Sequence, residues 1–199
     1  MNQLLKWLAD GDLRTDGSGT EVADLVLQNP QLLKDLLDGL KEPNEVVRGH
    51  TAHALERVSR SQPDLLLAHL PQLIRSAKHD KVAMVRWHLA MLLGNVAAFE
   101  EYVQVIISTL LDLLQDDSAF VRSWAIASLC IVGRQYPRKS GYILKRIAPL
   151  QQDDSIAIRN RARRAVDLLM HDRLPLPVSW VKSERFKQLT DVDRASRSN

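Results

Sequence analysis

One phrase recurs four times along this 199-residue chain at nearly constant spacing, and it limits the folds open to it. The copies are Val47-Arg48…Ala52…Leu55, Val85-Arg86…Ala90…Leu93, Val121-Arg122…Ile126…Leu129 and Ile158-Arg159…Arg163…Val166. The arginines lie 38, 36 and 37 residues apart. A period in that range, carried by segments with apolar residues at helical spacing, marks stacked helical repeats. Each unit hides its apolar face only against its neighbours, so the period predicts an all-α, right-handed α-solenoid of helix pairs.

The second repeat reads most clearly. Pro63 opens a helix with Leu65, Leu66, Leu67 and Leu70, and Leu73, Ile74 and Ala77 continue its apolar face. Pro71 is expected to kink it, because proline lacks the backbone donor and crowds the preceding turn. His79-Asp80-Lys81 breaks the pattern. A second helix over 82–97 then carries Val85, Leu89, Leu92, Leu93 and Val96 on one side. The first repeat runs from Asn29-Pro30 to Val58, the third from Val103 to Val132 and the fourth from Tyr142 to Leu169. Asp and Ser in the turns between paired helices suit helix N-caps. Residues 20–28 read as the second half of a degenerate earlier repeat. The plan is about four full repeats plus that half, with the solenoid over 1–173 and one elongated unit over 20–171. Residues 174–199, with Pro175, Pro177 and a polar finish, are expected to form an extended or disordered tail with room for a short helix over 184–189.

Composition narrows the class further. Glycine and proline number eight each and aromatics are 5%, which disfavours a β-sandwich or a disordered chain. No apolar run reaches the roughly 18 residues of a membrane span. The start carries too short an apolar stretch for a secretory signal, and Asp10 and Asp12 follow at once. The single Cys130 has no disulfide partner within the chain. The expectation is a cytoplasmic protein with no membrane partner. Charge is uneven: residues 1–130 carry 12 Lys+Arg against 17 Asp+Glu, and residues 131–199 carry 15 against 7. This reads first as a solvated basic end and second as a docking region for an acidic or nucleic-acid partner.

With an acidic turn, then Val-Arg, then small and large apolar residues at helical spacing, the chain resembles HEAT-repeat proteins over roughly residues 20–171. The segments 85–90 and 159–164 are similar to those of small bacterial or archaeal-type HEAT proteins of unassigned activity. The resemblance implies that turn aspartates such as Asp80, Asp116 or Asp117, and Asp153 pair with the arginines in a ladder between repeats. The first repeat departs, with Glu42 and Glu45 as its only nearby acids. The resemblance also implies that the second helices line a concave surface.

Stepping ~100° per residue, Val47, Thr51, Ala54, Leu55 and Val58 face the core of their repeat. The opposite side carries the residues one, five and eight places after each arginine. These are Gly49, His53 and Glu56; Trp87, Met91 and Gly94; Ser123, Ala127 and Cys130; Asn160, Arg164 and Asp167. Trp87 and Met91 share one patch, read either as a binding anchor or as packing between repeats. Trp124 and His88 lie on the flank. The candidate partner-binding residues are His53, Trp87, Met91, Ser123, Ala127, Asn160 and Arg164, for a protein or peptide. The alternative is nucleic acid held by Arg159, Arg161, Arg163 and Arg164.

Catalytic patterns are missing from the sequence. It has no P-loop, no dinucleotide glycine fingerprint and no nucleophile elbow. Of the six histidines, His50 and His53 share a helical face, but without a carboxylate or cysteine in the same turn no metal site is expected. The motifs of three enzyme classes built on such repeats are not present. The His-Glu ligands of deoxyhypusine hydroxylases do not occur. No carboxylate stands four places after Trp87 or Trp124, as repeat-type DNA glycosylases would suggest. Nothing points to a tetrapyrrole, as a phycobilin lyase would need. The reading is a non-catalytic interaction scaffold with no cofactor and no small-molecule substrate.

Overall fold

A computed structural model describes residues 2–190, and among these there is no β-strand. The described residues are mostly helical. It divides into two compact units, Met1–Leu92 and Leu93–Asn199.

The first unit contains α1 (Gln3–Trp7), α2 (Gly19–Gln28), α3 (Leu33–Asp38), α4 (Glu45–Ser61) and α5 (Leu70–His79). It also contains most of α6 (Ala83–Val96), within which the boundary falls. α3 with α4, and α5 with α6, are the first two helix pairs. α2 stands where a lone second helix of an earlier repeat was expected. Pro71 does not kink a continuous helix. Residues Pro63–His69 wind as a 3-10 helix, and α5 starts afresh at Leu70 with Pro71 in its first turn. There the missing N–H is one that a helix leaves unpaired anyway.

The second unit contains α7 (Val103–Leu113), α8 (Ala119–Gln135), α9 (Pro137–Ile147) and α10 (Ile156–Met170), then a 3-10 helix over Glu184–Thr190. α8 packs against α7, α9 and α10, and every residue from Ala125 to Gly133 is buried. A helix covered on all sides must be apolar or small-residue all round, and Ala125, Ile126, Ala127, Leu129, Cys130, Ile131 and Val132 supply that. α10 is different. Ile158, Ala162, Ala165 and Leu168 are buried on one face, while Asn160, Arg163 and Arg164 are exposed on the other. Each fully buried Leu or Ile of these cores contributes about 1.5–3 kcal/mol.

The turns before the second helices work differently from simple side-chain capping. Asn44 caps α4, accepting from the Val46 and Val47 amides. In the later repeats the helix-cap serines make no such bond. Instead Asp80, Asp116 and Asp153 each accept from the amide two residues ahead, at 2.8 Å. This is the Asx-turn that presets the helix entry.

Residues 174–190, expected as an extended or disordered tail with room for a short helix over 184–189, include extended backbone and the 3-10 helix over Glu184–Thr190, and they are packed. Leu176, Trp180, Val181, Ser183 and Phe186 are buried, and the Leu176 amide donates to the Leu189 carbonyl at 3.0 Å. The reason is hydrophobic: three large apolar side chains and Leu176 sit at irregular spacing that no helical or strand period reveals. The last part of the expected tail, 191–199, lies outside the described residues.

Candidate interaction face and a histidine cluster

The repeated arginines bind the turns of the fold. Arg48, Arg86, Arg122 and Arg159 each donate from Nη1 to the carbonyls six and five residues back. The nearer contacts are 2.9 Å to Glu42 and 2.7 Å to Asp80, Asp116 and Asp153. Two pair forward with the carboxylate of the next turn: Arg48 with Asp80 at 2.9 Å and Arg122 with Asp153 at 3.2 Å. The first repeat thus needs no acid of its own in its turn, because Arg48 reaches Asp80 of the following one. The ladder implied by the resemblance is present at these two steps.

The nucleic-acid set divides accordingly. Arg159 is held by the Asp153 and Asp154 carbonyls. The Arg161 guanidinium lies over the Trp180 ring at 4.8 Å and the Trp124 ring at 5.5 Å, and burial lowers its pKa. A guanidinium stacked between two indoles does not present itself to a phosphate. Arg163 and Arg164 are exposed, Arg164 being 3.4 Å from Asp167.

The structure places the expected binding residues at different depths. Asn160 and Arg164 are exposed, and Trp87 and Ser123 are partly exposed. Met91 is 8% exposed, His53 is 5% and Ala127 is fully buried. For His53 the cover is visible. Residues 8–19 lie over α4 on the side a helical wheel assigns to solvent. A Cβ on Gly49 would meet Leu13 at 2.7 Å, and one on Gly19 would meet the His53 ring at 2.7 Å. His50 fastens the same segment, its ring nitrogens lying 2.9 Å from the Leu8 carbonyl and 3.1 Å from that of Thr15. In the second unit Gly94 leaves no room for an inserted side chain, since its Cβ would fall 2.6 Å from the Ser128 hydroxyl. Its smallness serves close helix approach. Glu56, also read as outward, is fully buried and held by the Arg60 guanidinium at 2.6 Å.

Trp87 keeps one side open. With Leu13, Val82, Ala83 and Met84 it lines a hollow of about 330 Å³ whose rim carries Glu45 and Lys81.

Beside it lies an arrangement that the sequence reading missed. The His53 Nδ1 is 3.3 Å from His88 Nε2 and 3.2 Å from Asp16 Oδ1. The Trp87 indole N–H donates toward the same His88 Nε2 at 3.3 Å, and His88 Nδ1 lies 3.0 Å from the Met84 carbonyl. Burial is the main force lowering both histidine pKa values. Asp16 opposes it at His53, whereas neighbouring His53 adds to it at His88, pushed down to about 3. His50, on the same helix as His53, turns instead to the Leu8 and Thr15 carbonyls. His53 and His88 are 35 residues apart, about one repeat, and that spacing was the available signal. Asp16 carried none, because it lies in a segment without helical period.

Residues 33–130 match the family described as HEAT repeats. The matched segment, just under half of the chain, carries the HEAT-repeat pattern. Among solved structures, the complex of CpcE and CpcF of phycocyanin lyase from Nostoc sp. PCC7120 is similar in fold. It has a TM-score of 0.67 and 21% identity, covering 81% of this chain and 95% of that one. An engineered protein aligns with a TM-score of 0.58 and 18% identity, over 98% of this chain and 100% of its own. A designed armadillo repeat protein in complex with the peptide (KR)4 gives 0.55 and 19%, over 83% and 80%. No curated protein matches the chain at a significant level. No helix among the described residues is long and apolar enough to cross a membrane.

Proposed function

We propose that this protein is a non-catalytic interaction scaffold that takes a bulky apolar side chain of a protein or peptide partner at Trp87. The observation that carries the reading is the hollow of about 330 Å³ in which the half-open Trp87 meets Leu13, Val82, Ala83 and Met84. An aromatic anchor in an apolar recess, rimmed by Glu45 and Lys81 of opposite charge, is the usual form of an interface hot spot. Two similar folds were solved as complexes, CpcE with CpcF and the designed armadillo repeat protein with (KR)4, which supports a protein or peptide as the occupant. Arg163 and Arg164, exposed on α10, supply positive charge suited to raising an on-rate.

The test is to pan a random displayed peptide library against the protein. Enriched peptides are expected to share a large apolar residue. Their binding should fall roughly tenfold or more with Trp87→Ala and change with Lys81→Glu at the exposed rim. It should also hold at raised salt, where a nucleic-acid complex would weaken steeply. No enrichment, or enrichment indifferent to both substitutions, counts against the anchor.

A further inference from the structure

We infer that Asp16, His53 and His88 form a binding site for a divalent transition-metal ion of the zinc class, with three protein ligands and one open position. The spacing carries this first. A tetrahedral ion with bonds of about 2.0–2.1 Å requires ligand atoms about 3.3 Å from one another. His53 Nδ1 stands 3.3 Å from His88 Nε2 and 3.2 Å from Asp16 Oδ1, and all three ligand atoms fall within 4.8 Å of one another.

The supporting contacts agree with ligation. His88 Nδ1 faces the Met84 carbonyl at 3.0 Å, so the ring proton belongs on Nδ1 and Nε2 is left bare. A backbone carbonyl fixing the tautomer of a ligating imidazole is the usual outer shell of a zinc site. Hydrogen bonding alone satisfies the group poorly. The one lone pair of His88 Nε2 is approached by both His53 Nδ1 and the Trp87 N–H, each at 3.3 Å, at the long end for such bonds. The backbone is shaped to bring Asp16 in: Gly17 has φ +50°, and at Gly19 a Cβ would strike the His53 ring at 2.7 Å.

Two imidazoles with one carboxylate select a borderline ion over Mg²⁺ or Ca²⁺, which prefer oxygen ligands throughout. Bound there, the ion ties residues 16–19 to α4 and α6. The fourth position remains for water or for a side chain of a partner.

The experiment uses the untagged full chain, stripped with chelator and titrated with Co²⁺. One equivalent is expected to give a visible band of four-coordinate intensity that Zn²⁺ abolishes, and Zn²⁺ should raise Tm. Asp16 is exposed, so Asp16→Asn keeps the fold and is expected to weaken Zn²⁺ binding roughly tenfold or more. His88→Gln should abolish binding; if that variant fails to fold, Asp16→Asn decides alone. No band with micromolar metal, or uptake unchanged by Asp16→Asn, overturns the assignment. The second outcome would place the ion at other surface groups.

Discussion

At the scale of single residues, glycines separate into those the fold requires and those it tolerates. Gly17 has φ +50°, and a Cβ there would lie 2.5 Å from the His50 ring. Gly17→Ala is expected to cost on the order of 1–3 kcal/mol, from backbone strain and the displaced ring. Gly141 lies inside α9 with nothing within 4 Å of its added Cβ. Gly141→Ala should therefore stabilise by up to about 1 kcal/mol through helix propensity. Urea denaturation of the two variants measures both, and two shifts of the same sign would refute the contrast. Cys130 belongs to this scale too. Burial raises its pKa from the ordinary 9.0 to about 12. The folded value lies above the unfolded one, so the stability that depends on the neutral thiol is fully present below pH 9.0. It is lost as pH rises through about 12. At pH 8 a thiol reagent should label the denatured chain and leave the native chain unlabelled. Stoichiometric native labelling would show that α8 opens readily at this position.

At the scale of elements, the arginine at the start of each second helix joins three things. It satisfies carbonyls of its own turn and, at Arg48 and Arg122, neutralises the aspartate that shapes the next turn. Arg122 and Asp153 are both mostly buried, with side chains 17% and 14% exposed. Removing one partner leaves the other charge poorly solvated. Arg122→Ala is expected to lower stability by about 1–3 kcal/mol. A double-mutant cycle with Asp153→Asn should show coupling, because the two share one contact. Additive effects would mean that Arg122 acts only through the Asp116 and Asp117 carbonyls.

The element pattern was legible in the chain because the arginine period and the apolar spacing are local, repeated signals. α4, α6, α8 and α10 all begin within a few residues of where that period puts them. The 3-10 segment Pro63–His69 was not legible. Its leucines fit either helix type, and only packing chooses between them.

At the scale of the whole molecule, segments before the first repeat and after the last one fold onto second helices within their own units. Residues 8–19 cover α4 within the first unit. Within the second, Trp180 stacks on Arg161, which lies over Trp124, and Arg185 lies over Phe99 at 5.0 Å. Phe186 is 1% exposed. Phe186→Ala is therefore expected to destabilise by about 3–5 kcal/mol, as for a core aromatic, and a thermal melt reads it. A loss near zero would return these residues to the status of a tail. By itself the sequence determined the helix pairs, their order and their core faces, because periodicity and burial are properties of each repeat. Only the tertiary structure decided which outward positions stay outward. His53, Met91 and Ala127 lost their surface, and Asp16 met His53 and His88. These outcomes depend on aperiodic segments and on contacts about one repeat apart or more, where no local pattern records the partner.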